Sequence, residues 1–104
     1  MKNQIDIKEI DNSQKKIYLK DLSNNRLMEA TIYPADVTLK ELKRMIEKKF
    51  GYGTNSLNST SIRMVNKGFH TGTLLENDDK TMAEYDLRNL AVIQFNKLKN
   101  VGGQ

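Results

Sequence analysis

The sequence predicts an α+β fold in which a mixed sheet of four to five strands packs on one main helix. Two alternating apolar runs flank an asparagine-rich turn, one amphipathic segment begins with a capping-box pattern, and a further alternating run lies near the end. A helix buries one stripe and a sheet buries one face, so this order of elements favours a two-layer core. The 104 residues have room for one such domain.

The first two predicted strands, residues 16–20 and 28–32, form a hairpin. Apolar and polar residues alternate in each run, as expected of a half-buried strand. Asn24-Asn25 between them is a turn signal, because asparagine tolerates left-handed backbone angles. Pro34 ends the second strand, since proline cannot donate a hydrogen bond to a neighbouring strand.

The main helix is predicted over Leu39–Phe50. Thr38 and Glu41 match the capping box, with the threonine as N-cap and the glutamate reaching back to it. Gly51 provides the C-terminal stop. Helical spacing gives the segment one apolar stripe, formed by Leu39, Leu42, Met45, Ile46 and Phe50.

The second half of the chain alternates between loops and short strands. Residues 51–60 are interpreted as a polar loop, Ile62–Val65 as a strand, and residues 69–80 as a surface excursion. Thr81–Glu84 repeats the capping-box pattern and opens a short second helical turn. Residues 90–95 alternate again and form the last predicted strand.

No arrangement of residues suited to catalysis stands out. The chain has no cysteine and one histidine, His70, so it offers no thiolate metal site, no histidine metal pair and no catalytic triad. Asp78-Asp79 with Glu76 lacks the spacing of a calcium loop. We therefore expect a protein that is not an enzyme and that needs no metal or cofactor.

The net charge of +4 does not by itself predict nucleic-acid binding. The basic residues form no single block, and those of the predicted helix, interrupted by glutamates, are interpreted as a solvated face. No apolar run approaches the roughly 18 residues of a membrane span. We expect a monomer in the cytoplasm or nucleus, without nucleic-acid or membrane partners.

Three local patterns lie at residues 79–87, at Pro34 followed by Thr38-Leu39, and at residues 65–68. In this order, they resemble the segment before the last strand, the entry to the helix and the turn after the third strand of ubiquitin-like proteins. The resemblance covers roughly residues 16–103. The resemblance implies the β-grasp fold. It also implies that Tyr85 pins its loop by hydrogen bonding to the backbone.

The end of the sequence extends this resemblance to function. Gly102-Gly103 precedes Gln104, and such a diglycine can enter a narrow channel because it lacks Cβ atoms. By resemblance, the Gly103 carboxylate would be adenylated by an activating enzyme, passed to a cysteine and joined to a lysine of a target protein. A processing protease would remove Gln104, or the domain would be cut from a longer precursor. The implied partners are activating and conjugating enzymes, this protease and the targets.

The alternative function is a ubiquitin-like interaction module that is never conjugated. Leu22 and Val65 resemble two members of ubiquitin's exposed apolar patch, and the third falls near Asn96, which is polar. With Lys67 they form the predicted partner-binding surface. In either case we expect an arm over residues 1–14, a domain over residues 15–98 and a flexible tail over residues 99–104.

Overall fold

The computed structural model describes residues 13–96. The predicted tail, with Gly102 and Gly103, lies outside these residues, as does nearly all of the predicted N-terminal arm. In chain order the elements are β1 (Lys15–Asp21), β2 (Arg26–Ile32), a 3-10 helix (Pro34–Asp36), α1 (Leu39–Phe50), β3 (Ile62–Val65), β4 (Thr73–Leu75) and β5 (Val92–Phe95).

The five strands form one mixed sheet in the order β2-β1-β5-β3-β4. The first and last strands of the domain therefore lie side by side, in a parallel pair that sets Tyr18 opposite Val92. The other three pairs are antiparallel. This is the mixed sheet with one main helix that the sequence predicts.

Helix α1 has the predicted bounds, and both of its ends have the predicted caps. The Thr38 hydroxyl accepts a hydrogen bond from the Glu41 N–H at 3.2 Å, and the Glu41 carboxylate accepts one from the Thr38 N–H at 2.9 Å. Gly51 closes the helix in the left-handed conformation, at φ +78°. The apolar stripe of α1 packs into the core, with Met45 partly buried at its margin.

The loop between α1 and β3 contributes a core residue that the sequence did not indicate. Leu57 is fully buried although its neighbours are polar. The carboxylate of Glu47, itself buried, accepts hydrogen bonds from the backbone N–H groups of Asn55 at 3.1 Å and Leu57 at 2.9 Å. This carboxylate fixes the loop against the helix and turns Leu57 inward.

The interpretation of residues 69–80 as a surface excursion was wrong in part, because β4 lies within them. A three-residue strand is too short to show alternation, and it forms here by pairing with β3 at the sheet edge. At the other end of the domain, Leu90 has a φ of +69°, so β5 begins only at Val92.

The second capping-box pattern opens a short turn, as the sequence predicts. The Thr81 hydroxyl and the Glu84 carboxylate do form reciprocal capping bonds, at 3.1 and 2.8 Å. Hydrogen-bonded turns follow, in which the Tyr85 N–H donates to the Thr81 carbonyl at 3.2 Å. The 3-10 helix at Pro34–Asp36 is a further short element, which the sequence did not predict.

Replacing Leu57 by alanine should lower the free energy of unfolding by about 2–5 kcal/mol, the usual range for truncating a buried leucine. Urea unfolding followed by circular dichroism measures this change. Ser59→Ala, at an exposed position of the same loop, is the control and should stay within about 0.5 kcal/mol of the wild type. Equal stability of the two variants would contradict the burial of Leu57.

Candidate functional site

The two faces of the sheet have different environments. Side chains alternate along each strand, so one face points to α1 and the other away from it. Inward residues such as Leu19 and Ile93 are fully buried. The outward residues range from half-buried to exposed and form what we call the outer face: Lys16, Tyr18, Lys20, Leu27, Glu29, Thr31, Arg63, Val65, Leu74, Val92 and Gln94.

The strand register aligns five outer-face residues across the whole sheet. In order from β2 to β4 this central row is Leu27, Lys20, Gln94, Arg63 and Leu74. The leucines at its two ends are 58% and 39% exposed. Neighbouring strands lie about 4.8 Å apart, so the backbones of these leucines are separated by about 19 Å.

A second row, parallel to the central row, is mostly apolar. Tyr18 on β1 lies opposite Val92 on β5, which in turn lies opposite Val65 on β3. All three side chains are half-buried. The outer face therefore has exposed leucines at the two ends of its central row and a half-buried apolar row beside it.

The structure brings together only part of the predicted partner-binding surface. Leu22 follows β1 and donates its N–H to the carbonyl of Phe95 at 2.8 Å, which places it beside Asn96. Both Leu22 and Asn96 are exposed. Val65 pairs with the opposite end of β5, and Lys67 lies beyond it. That these four residues bind a partner stays a prediction.

Sequence reasoning missed the two cations of the central row. Lys20 and Arg63 are far apart in the chain, and only pairing through β5 brings them into one row. The alternation of Arg63 between Ile62 and Met64 indicates that it points outward. It does not indicate which residues of other strands lie beside it.

A hydrogen-bonded cluster holds the turn that presents Leu22. The Asp21 carboxylate, almost fully buried, accepts hydrogen bonds from the Ser23 N–H at 2.9 Å, from the Ser23 hydroxyl at 2.6 Å and from the Tyr52 hydroxyl. Burial acts to raise the pKa of Asp21, but these hydrogen bonds outweigh it and lower the pKa overall. Burial and the neighbouring Asp21 raise the pKa of Tyr52.

The loop before β5 has the tyrosine contact that the family resemblance implied. The Tyr85 hydroxyl accepts hydrogen bonds from the backbone N–H groups of Glu76 at 3.1 Å and Asn77 at 2.8 Å. Nearby, the Lys43 ammonium pairs with Asp78 at 2.8 Å. Lys43 is buried, unlike the exposed Lys40, Lys48 and Lys49 of the same helix.

The described residues contain no arrangement of side chains that suggests catalysis. A groove of roughly 700 Å³ lies between the 3-10 helix and residues 81–88. Its carboxylates are engaged, since Glu84 caps the turn and Asp86 pairs with Arg88 at 2.8 Å. Within residues 13–96 no three histidine or carboxylate groups are placed to hold a metal ion, and no helix is long and apolar enough to cross a membrane.

The chain is similar to several solved ubiquitin-like structures. Trypanosoma brucei tubulin-binding cofactor B aligns with a TM-score of 0.69 at 18% identity, over 84% of this chain and 98% of that one. A ubiquitin-like domain from tubulin-binding cofactor B gives 0.66 at 20% identity, over 86% and 92%. The C-terminal ubiquitin-like domain of mouse tubulin-specific chaperone e gives 0.61 at 13% identity, over 83% and 86%.

These similarities confirm the predicted ubiquitin-like β-grasp fold. In sequence, the chain matches no family model and no curated protein. The likeness is therefore one of backbone architecture, and the residues of the outer face have to be interpreted from their own chemistry.

Replacing Asp21 by asparagine should make stability less sensitive to acid. The lowered folded-state pKa means that ionised Asp21 adds stability above its unfolded pKa, and this contribution is lost as the pH falls from about 5 through the folded pKa. In urea unfolding, the free energy of unfolding of the wild type should exceed that of Asp21→Asn by the most near neutral pH. This difference in free energy should narrow towards about pH 3. Asp79→Asn, at an exposed position, is the control and should show no comparable pH-dependent difference from the wild type. A difference between the wild type and Asp21→Asn that stays constant with pH would contradict the lowered pKa of Asp21.

Proposed function

We propose that this protein is a ubiquitin-like interaction module that binds a protein partner through its outer face and performs no catalysis itself. One observation carries the proposal: Leu27 and Leu74 are exposed on a sheet face where Tyr18, Val92 and Val65 form a half-buried apolar row. Contiguous exposed apolar surface is characteristic of binding sites, whereas singly scattered apolar residues are ordinary. Strand pairing fixes the backbone at Leu27 and Leu74, so docking a partner requires no ordering of the main chain there.

Similar solved structures support the same type of function. Two of them are described as ubiquitin-like domains of a tubulin chaperone and a tubulin cofactor, which are larger proteins that contain such a domain. In this chain too, we propose, the fold is a platform and the chemistry of the outer face selects the partner.

Replacing both leucines of the outer face by aspartate should weaken partner binding strongly. The double variant Leu27→Asp/Leu74→Asp places two carboxylates, which are costly to remove from water, in the apolar contact. When the tagged protein is used to capture its partner from native cells, the amount of partner recovered should fall at least about tenfold. Quantitative mass spectrometry of the captured proteins measures recovery.

The matched control is Lys48→Gln/Lys49→Gln, on the exposed side of α1. It changes the net charge by the same amount and should leave recovery unchanged. Equal recovery on all three proteins would show that the outer face is not the docking surface.

A second candidate function, conjugation, is favoured by Gly102-Gly103, which follows the last strand of the domain. Under this alternative the Gly103 carboxylate, freed of Gln104, would be joined to lysines of targets. Both glycines lie outside the described residues, so the sequence alone supports this function.

Replacing Gly103 by alanine separates the two functions. The interaction module predicts unchanged partner recovery, because the outer face is intact and binding is non-covalent. Peptide mass spectrometry of the protein from native cells should then find no Gly103 carbonyl joined to a lysine. Detecting that linkage, together with its loss in Gly103→Ala, would establish the modifier function instead.

A further inference from the structure

Resting on the proposed function, we propose that the partner segment covering the outer face is an acidic amphipathic helix lying along the central row, across the strands. The inference follows from two properties of the outer face. One is the charge left unpaired on it, and the other is the spacing of its leucines and cations.

The outer face carries an excess of positive charge at its centre. Its one carboxylate, Glu29, pairs with Lys16 at 3.4 Å near the β2 edge. Lys20 and Arg63 have no carboxylate partner among residues 13–96. An uncharged partner lying over these two cations would remove their hydration without giving them a new ion pair. A partner with carboxylates at both positions is therefore favoured.

The direction of the central row favours a helix over an extended segment. The strands beneath it already pair with one another, so an extended peptide crossing them would leave its backbone N–H and C=O groups without partners. A helix satisfies these groups internally. It can therefore lie across the sheet and present side chains alone to the surface.

The spacing of the row defines which helix positions make contact. With a rise of 1.5 Å per residue, positions i and i+14 lie about 21 Å apart, close to the roughly 19 Å between Leu27 and Leu74. Positions i+4 and i+11 lie about 10.5 Å apart, close to the roughly 10 Å between Lys20 and Arg63. At about 100° per residue, these four positions fall within one stripe of roughly 80°.

A synthetic helix tests this directly. The probe is a labelled peptide of about 18 residues with leucines at i and i+14 and glutamates at i+4 and i+11, on an alanine-rich background. Its counterpart has glutamine in place of both glutamates. Fluorescence anisotropy should give about two- to thirtyfold tighter binding of the glutamate peptide than of the glutamine peptide at low salt, as expected for two exposed ion pairs.

Variants then assign the preference to the two cations. Lys20→Gln/Arg63→Gln should abolish the preference for the glutamate peptide, whereas Lys48→Gln/Lys49→Gln, with the same change in net charge, should retain it. In the reversed pair, Lys20→Glu/Arg63→Glu should prefer a peptide with lysine at i+4 and i+11. The inference would be overturned if Lys20→Glu/Arg63→Glu did not prefer the lysine peptide. It would also be overturned if Lys48→Gln/Lys49→Gln lost the preference for the glutamate peptide.

A polyanion competition distinguishes a protein helix from a nucleic acid. At physiological salt, polyuridine should displace the glutamate peptide poorly, because it has no aliphatic side chains to pack against Leu27 and Leu74 and its charge contacts are weakened by salt. Displacement as effective as that by unlabelled peptide would overturn the inference in favour of a nucleic-acid surface.

Capture from native cells separates this inference from the proposed function. The inference predicts that Lys20→Gln/Arg63→Gln also loses the native partner. A partner that is lost with Leu27→Asp/Leu74→Asp and fully retained with Lys20→Gln/Arg63→Gln would leave the interaction module standing and overturn the acidic helix. A partner that is insensitive to both would overturn both.

Discussion

The parallel pairing of β1 with β5 is the constraint on which the rest of the structure depends. Parallel neighbours cannot be joined by a tight turn, so the chain must leave the sheet and cross over before it can return beside β1. The hairpin partner β2, helix α1 and the antiparallel strands β3 and β4 are all accommodated within this crossover. On its inner side the pair sets Leu19 beside Ile93, and both are fully buried. On its outer side it sets Lys20 beside Gln94.

The single helix makes the sheet asymmetric. Helix α1 covers the inner face and completes the core, while the outward side chains stay half-buried or exposed. In a small domain this asymmetry is common, because antiparallel sheets often have one solvated face. Here that face has leucines at both ends of its central row, so it is less polar than solvation alone would require. The proposed interaction function rests on this difference.

Features encoded by neighbouring residues could be predicted from the sequence. The bounds of α1 follow from Thr38, Glu41 and Gly51, whose capping contacts are local, and the position of β3 follows from its alternation. The Tyr85 contact was implied by resemblance alone. Leu57 and β4 were missed, since each depends on partners distant in the chain: Glu47 turns the loop inward, and β3 provides the edge to which β4 pairs.

The candidate site was predictable to a smaller extent, for the same physical reason. Leu22 and Asn96 could be placed as neighbours by resemblance, and the structure sets them side by side. The central row could not be assembled, because it depends on the register of four strand pairs. A shift of one residue in any of them would turn a different set of side chains outward. Lys20 and Arg63 became candidate binding residues only once that register was known.

Hydroxyl-radical footprinting of the protein in its native assembly, compared with the free protein, tests the central claim most directly. For a given side chain, the extent of oxidation by this method rises with its solvent access. The account predicts that Leu27 and Leu74 are protected in the assembly, while Lys48 and Lys49 on the exposed side of α1 react as in the free protein. Protection of the α1 side with unchanged oxidation of both leucines would contradict docking through the outer face.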